Sequence, residues 1–427
     1  MKFQGSHPRD QLVNVMHRIY HNAMTTLSGG NLSIKDDHGH IWITPAGVDK
    51  GRLEADDIVC VRAGGEIEGL YRPSSELPFH RAIYTRRPDL GAIVHAHAPA
   101  LVAFSIARRV PETNIIPQAQ RVCGIVGYAP YALPGSEHLG ENIAATFAGG
   151  SDVVLLENHG VATAGADLLT AFQRLETLDF CARTLLKAHT LGNVNTLSQK
   201  QLAPFDTPHH LLPELAPDGQ SGRERELRQL IVEVVQRAYD RYLMISTQGV
   251  VSARLDQKRF LITPTGLDRR SLEVEDIVLI DDGRREAGKL PSRSVRLHAS
   301  IYDQHPELHA VMTAQSPHAM AFAISGTDFD ARTIPETYIL LREVPLIPYG
   351  SQYTVPAEIA AGVSLQKPVA LIQNDCVLAA GRSLLDAFDR LEVMEFSARA
   401  LLDTAAIGPV VPIADDDVAA LELAFPL

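Results

Sequence analysis

The sequence predicts an α/β protein, a sheet covered by helices, present as two tandem copies of one domain. Three observations predict it: motifs recur collinearly at a nearly constant offset, each copy opens and closes on helical periodicity, and short β-rich runs lie between. Ile43-Thr44-Pro45-Ala46-Gly47 returns as Ile262-Thr263-Pro264-Thr265-Gly266, and Asp57-Ile58-Val59 returns as Asp276-Ile277-Val278 at the same offset. Pro73-Ser74, His80 and Ile83-Tyr84 return as Pro291-Ser292, His298 and Ile301-Tyr302, with the offset one position shorter. Ala171-Phe172, Arg174-Leu175-Glu176 and Phe180 return as Ala387-Phe388, Arg390-Leu391-Glu392 and Phe396, with the offset shorter by two more. So small a drift over a whole repeat is what a duplicated domain retains after a few insertions and deletions.

Each element follows from its local pattern. Leu12, Val15, Met16, Ile19 and Tyr20 share one face of a helix that opens the first copy; Leu227, Leu230, Ile231, Val234 and Val235 do the same for the second. Strands are expected at Ile41-Trp42-Ile43, Ile58 to Val61, Ala92-Ile93-Val94 and Val153 to Leu156. Long closing helices are expected near 166–188 and 382–404. Between the copies, Pro204, Pro208, Pro213 and Pro217 punctuate a weakly periodic stretch that reads as irregular chain. The expected organisation is therefore a first domain over 1–192, a linker over 193–222, a second domain over 223–410 and a tail over 411–427.

Composition narrows the chemistry. The chain has 427 residues, 45% of them hydrophobic and 21% charged, enough to build two cores and too much for extended disorder. A net charge of −12 without a basic run argues against nucleic acid as a partner. No apolar stretch reaches membrane-spanning length, and the first ten residues are too polar for a secretory signal, so no membrane association is expected. The four cysteines, Cys60, Cys123, Cys181 and Cys376, are far apart, which excludes a disulfide framework and a thiolate zinc site and suits the reducing cytoplasm. Histidine is distributed unevenly: 11 of 17 precede residue 195 and four follow residue 222.

The first copy carries a candidate metal set. His95-Ala96-His97 follows the apolar run Ala92-Ile93-Val94, and residues i and i+2 of a strand project to one face. His159 follows a second apolar run, and Gly160 permits a tight turn beside it. With Glu76, three imidazoles and a carboxylate suit zinc, manganese or another divalent ion and leave room for a substrate oxygen. In the second copy Glu76 becomes Ser294, His95 becomes Thr313, His97 becomes Gln315 and His159 becomes Asp375. All four change while the framework persists, as expected of one shared site that relaxed. Ser28-Gly29-Gly30-Asn31, Pro45-Ala46-Gly47 and Ser74-Ser75 add small-residue loops and hydroxyls that can approach a phosphate or carboxylate. The second copy reads Gln248-Gly249-Val250-Val251 and Ser292-Arg293-Ser294 there, without the asparagine and with one serine fewer.

Gly30-Asn31-Leu32-Ser33, Thr44-Pro45-Ala46-Gly47, Pro73-Ser74-Ser75-Glu76 with His80, Val94-His95-Ala96-His97 and Asn158-His159-Gly160 together resemble the class II aldolase/adducin family over nearly the whole of each copy. The resemblance implies a three-layer α/β domain. It implies that His95, His97 and His159 bind a metal, zinc first, and that Glu76 is the catalytic acid–base residue and also touches the metal. It further implies that Gly30, Asn31, Ala46, Gly47, Ser74 and Ser75 bind the substrate, with Ala46 departing from the threonine common at its position. The implied activity is a metal-dependent lyase acting on a small sugar-phosphate or acidic hydroxy-ketone through a metal-stabilised enediolate, in the first copy alone. A β-keto acid decarboxylase, a sugar-phosphate epimerase and a non-catalytic adducin-like assembly protein are the alternatives. The family's four-fold rings imply a homodimer of tandem chains that forms a pseudo-tetramer, with Glu336, Tyr338 and Arg342 in a segment near the family's subunit interface.

Overall fold

The computed structural model describes residues 5–206, 212–217 and 219–426. The first four residues of the expected first domain, residues 207–211 and 218 of the expected linker, and the terminal Leu427 lie outside the described residues. The chain divides into two compact units: Met1–Thr113 with Gln118–Arg183, and Asn114–Pro117 with Thr184–Leu427.

In the first unit, helix α1 (Pro8–His21) precedes strands β1 (Asn31–Lys35), β2 (Ile41–Ile43), β3 (Val59–Val61) and β4 (Ile67–Glu68). Then come α2 (Leu77–Arg86), β5 (Ala92–Ala96), α3 (Pro99–Ile106), α4 (Pro117–Cys123), β6 (Val126–Ala129), α5 (Glu137–Ala148), β7 (Val153–Leu156), β8 (Gly160–Gly165) and α6 (Leu168–Leu191), whose residues after Arg183 are counted with the second unit. The strands form one sheet in the order β4-β3-β2-β1-β5-β8-β7-β6, antiparallel except for the β6–β7 pair. Alternation along the strands supplies two apolar faces. Ile41, Ile43, Val59, Val61, Ile93 and Val154 face Phe79 and Ile83 of α2 and Ile143 and Phe147 of α5. Helices α1, α3 and α6 take the other face, where Thr163 Oγ1 donates to the Ala171 carbonyl at 2.7 Å and so ties α6 to β8. Helices on both sides of one sheet give the expected three-layer α/β architecture.

The second unit contains α7 (Gln199–Asp206), β9 (Glu214–Leu215), α8 (Gly222–Asp240), β10 (Val250–Arg254), β11 (Arg259–Ile262), β12 (Val278–Asp281), β13 (Arg284–Glu286), α9 (Val295–Gln304) and β14 (Ala310–Ala314). It continues with α10 (Pro317–Ser325), α11 (Pro335–Leu341), β15 (Leu346–Ile347), α12 (Ser351–Thr354), α13 (Pro356–Gly362), β16 (Val369–Ile372), β17 (Cys376–Gly381), α14 (Leu384–Thr404) and α15 (Asp415–Ala424). Its nine strands run in the order β15-β16-β17-β14-β10-β11-β12-β13-β9, so β14, β10 and β17 repeat the central β5, β1 and β8 of the first unit.

The segment over 193–222 is more ordered than irregular chain. It holds α7, which has Pro204 inside it, and β9, which pairs in parallel with β13. Leu197, Leu202 and Phe205 are buried, so apolar burial in the second unit organises residues whose own periodicity is weak. The tail likewise contains a helix, α15, none of whose residues is buried. Tyr338 and Arg342 meet this tail inside the second unit: the Tyr338 hydroxyl donates to Glu422 at 2.6 Å and Arg342 Nη2 to the Phe425 carbonyl at 2.7 Å.

Candidate metal and acid–base site

The side chains that stand apart in sequence meet at one end of the first sheet. Strand β1 pairs with β5 so that Asn31 lies opposite His95. His95 points to the α2 side of the sheet, where its ring packs edge-on against Phe79 at 5.5 Å. His97 follows the strand end, and its Nε2 lies 3.0 Å from His95 Nε2. His159 sits on the tight β7–β8 turn, where its N–H donates to the Leu156 carbonyl at 3.1 Å and Asn158 takes a left-handed φ of 52°. A Cβ on Gly160 would stand 2.5 Å from the Ala96 carbonyl oxygen and 2.9 Å from the His97 ring, so only glycine fits. Glu76, the residue before α2, places Oε2 at 3.2 Å from His95 Nε2 and Oε1 at 3.4 Å from His159 Nε2.

This donor set fits a divalent cation. The ligand atoms of His95, His97 and His159 lie within 4.8 Å of one another. His95 Nδ1 donates to the Val161 carbonyl at 2.9 Å, which leaves Nε2 to face the centre. His97 Nε2 and the Glu76 carboxylate face the same point, and lone pairs converging at about 3 Å repel unless a positive charge lies between them. Three imidazoles and a carboxylate directed at one point are a donor set that would suit zinc or another divalent cation. Burial opposes protonation of His95, but the Glu76 charge and hydrogen bond hold its imidazole above the usual value. Burial, then the charge of His95, pushes His97 down to about 3 and His159 to about 4. Burial alone would raise Glu76; the His95 charge and hydrogen bonds from His95 and Asn31 outweigh it and hold the carboxyl well below the usual range.

Behind Glu76 runs a buried relay. Asn31 Nδ2 donates to Glu76 Oε2 at 2.7 Å, and His80 Nε2 donates to Asn31 Oδ1 at 2.5 Å. Burial pushes His80 down to about 3, so its ring is neutral and its Nδ1 accepts from Ser33 Oγ at 2.7 Å. The Tyr84 hydroxyl lies 2.8 Å from Ser33 Oγ and completes the chain. Every orientation in this series is set by the carboxylate at its end, which can only accept. In the sequence His80 belongs to a motif that gives it no role of its own; the signal for one is that Ser33, His80 and Tyr84 all persist as Ser252, His298 and Tyr302.

The expected substrate residues surround this centre unevenly. A bridge between Pro45 and Pro73 brings the Thr44–Gly47 and Ser74–Ser75 loops side by side. Gly47 has φ 72° and is exposed, as is Ser75. Ser74 is buried, and its hydroxyl accepts from the Glu76 N–H at 3.3 Å. The Ala46 N–H is spent on the Arg72 carbonyl at 3.0 Å, so its backbone donor is turned away from a ligand. Gly30, at φ 69°, carries the chain past the His95 carbonyl, where a Cβ would stand at 2.7 Å.

The second unit has the same frame with different contents. Val250 pairs with Thr313 as Asn31 pairs with His95, so the register aligns Gly249 with Gly30 and shifts the sequence alignment of that loop by one residue. Ser252 Oγ keeps its contacts to His298 Nδ1 and the Tyr302 hydroxyl, both at 2.7 Å. His298 Nε2 is buried and has no partner, because valine replaces the asparagine. Asp375 Oδ2 accepts from Gln352 at 3.1 Å, and Gln315 Nε2 donates to the Asp375 carbonyl at 3.1 Å. Among the described residues, the only group of three or more such side chains placed to hold a metal is the one in the first unit.

Comparison with known proteins supplies the family. The chain matches the Class II Aldolase and Adducin N-terminal domain family over residues 10–186 and again over 229–402. It is 35% identical over 172 residues to an L-fuculose phosphate aldolase of Methanococcus maripaludis strain C7, covering 40% of this chain and 92% of that protein. It is 32% identical over 179 residues to a 3-oxo-tetronate 4-phosphate decarboxylase of Haemophilus influenzae, covering 41% of this chain and 85% of that protein. The solved structure of YgbL from Klebsiella pneumoniae is 31% identical, with a TM-score of 0.43, covering 48% of this chain and 98% of that one. With two matched segments that together span most of its length, the chain belongs to the class II aldolase/adducin family.

Proposed function

We propose that the first unit is a metal-dependent carbon–carbon lyase that cleaves a small phosphorylated or acidic hydroxy-ketone by a retro-aldol step, and that the second unit has no activity of its own. The observation that carries this reading is the convergence of His95, His97, His159 and Glu76 on one point. A divalent ion in that cradle, zinc being the best fit to three imidazoles, supplies Lewis acidity that polarises a substrate carbonyl and stabilises the negative charge left by bond cleavage. Glu76 handles the proton. Asn31 and His95 clamp Oε2, so Oε1, with His159 at 3.4 Å, is the freer oxygen and exchanges a proton with the reacting carbon. The Asn31–His80–Ser33–Tyr84 relay keeps that carboxylate oriented. Gly47, Ser74 and Ser75 receive the substrate's anionic end beside it.

Decarboxylation of a β-keto acid is the second reading, favoured by the similarity to the Haemophilus influenzae decarboxylase, because loss of carbon dioxide also leaves an enolate-type charge. A cytoplasmic homodimer in which the second units complete a four-domain ring is the proposed assembly. The four buried, unpaired cysteines suit that compartment, and no described helix is long and apolar enough to cross a membrane.

The test is a screen of ketose phosphates and β-keto acids with zinc, manganese and magnesium, assaying aldehyde against carbon dioxide. Aldehyde release is expected, and Glu76→Gln should lower turnover by about 10²–10⁴-fold while the metal stays bound. Carbon dioxide release selects the second reading. Epimerisation without cleavage, or no turnover by the metal-loaded protein, overturns both.

A further inference from the structure

Lys50 is an unusual residue for its place. It opens a short 3-10 turn after the Pro45–Gly47 loop and is only 2% exposed. Its Nζ donates to the Pro45 carbonyl at 2.5 Å, and no other acceptor for the ammonium occurs among the described residues. Two of its three protons are therefore unused. No carboxylate offsets the charge: burial alone pushes the ammonium down to about 8. A buried charge without a counterion is costly, and its persistence calls for an explanation.

The second unit shows what the position does to the backbone. Arg269, the residue that takes the place of Lys50 in the repeat, is also 2% exposed. Its guanidinium donates to the carbonyls of Gly249 at 2.8 Å, Leu267 at 2.8 Å and Pro264 at 3.2 Å. By register these are the counterparts of Gly30, Val48 and Pro45. In the second unit the cation thus ties together the turns at Gly249 and at Pro264–Gly266, the counterparts of Gly30 and of the Pro45–Gly47 loop. Arg269 saturates that position with three carbonyls. Lys50 contacts one, so the unit that holds the metal set keeps at this position a buried positive charge that no carboxylate offsets.

We propose that Lys50 is the buried cation of an oxyanion subsite: it holds the Ala46–Gly47 loop through the Pro45 carbonyl, and its uncompensated charge balances a phosphate or carboxylate bound on that loop. The proposal rests on the lyase reading for the location of the pocket. It makes Lys50 a positioning residue, selective for substrates with an anionic end.

The test uses the full-length, metal-loaded chain and inorganic phosphate as the probe. Phosphate binding is measured by calorimetry, and metal content is determined in parallel. Lys50→Met should weaken phosphate binding tenfold or more with metal content unchanged, whereas Lys50→Arg should stay within about threefold of the parent, as retained charge requires. Lys50→Gln serves the same purpose if the Met variant does not fold. Unchanged phosphate affinity in the neutral variants overturns the proposal and leaves the lyase reading intact. An Arg variant as weak as the Met variant also overturns it, since a lost shape rather than a lost charge then explains the effect. A parent chain that binds metal but no phosphate overturns the proposal together with the phosphate-binding part of the lyase reading.

Discussion

Replacing Asn31 with valine transplants the second unit's residue into the first and isolates the relay behind Glu76. The substitution removes the donor that reaches Glu76 Oε2 at 2.7 Å and the acceptor that takes the His80 proton at 2.5 Å. A hydrogen bond to an ionised group contributes about 1.5–3 kcal/mol, and a stranded buried donor costs about 1–3 kcal/mol. Glu76 keeps its contact with His95, which places the expected loss at about 2–4 kcal/mol. The second unit displays the end state, with Val250 in place and His298 Nε2 buried without a partner. Adding His80→Phe removes the stranded donor, while Ser33 Oγ keeps Tyr84 at 2.8 Å, so the double variant should recover about 1–2 kcal/mol. Hydrogen exchange of β1 and β5 amides, followed by mass spectrometry on the metal-saturated protein, reads the local opening free energy. A loss below about 0.5 kcal/mol for Asn31→Val, or a double variant no more stable than the single, would refute the relay.

Two further predictions concern the asymmetry between the units. Elemental analysis after saturation with zinc should give one tightly bound ion per chain; His95→Ala should abolish it and Gln315→Ala should leave it unchanged, and a stoichiometry of two would sink the asymmetric reading. His298 is held neutral by burial, with its folded value pushed down to about 3 against about 6.5 when unfolded. The unfolded chain therefore binds the extra proton between these values, and stability falls as pH drops through that window. His298→Phe removes this dependence. Relative to the parent, the variant should gain about 2 kcal/mol on going from neutral pH to about pH 4.5, measured as exchange protection of β10 and β14 amides. Parallel pH profiles for parent and variant would contradict the assignment.

Both helices that open the copies, both that close them and the four expected strands lie where the apolar spacing indicates, because each buries a face that its own periodicity encodes. Where burial comes from distant partners, that spacing is silent. Leu197, Leu202 and Phe205 are buried although their own spacing is only weakly periodic, so α7 reads as irregular chain, and β9 needs the edge of β13. Sequence alignment sets the loop at Gly30 one residue out against the second copy, since identity there is sparse, and the strand pairing of Val250 with Thr313 corrects it. Lys50 and the Asn31–His80 contact leave no local mark at all.

The sequence by itself determined the duplication, the unequal histidine content and the joint loss of Glu76, His95, His97 and His159 in the second copy, because these depend only on which residues occupy aligned positions. Tertiary structure alone decided that Asn31 would touch both Glu76 and His80, that Ala46 would spend its N–H on Arg72, and that Lys50 would be buried without a counterion. The reason is that a hydrogen bond or a desolvated charge depends on distances between residues far apart in the chain. Those distances are set by sheet register, which pairs β1 with β5, and not by anything within either strand.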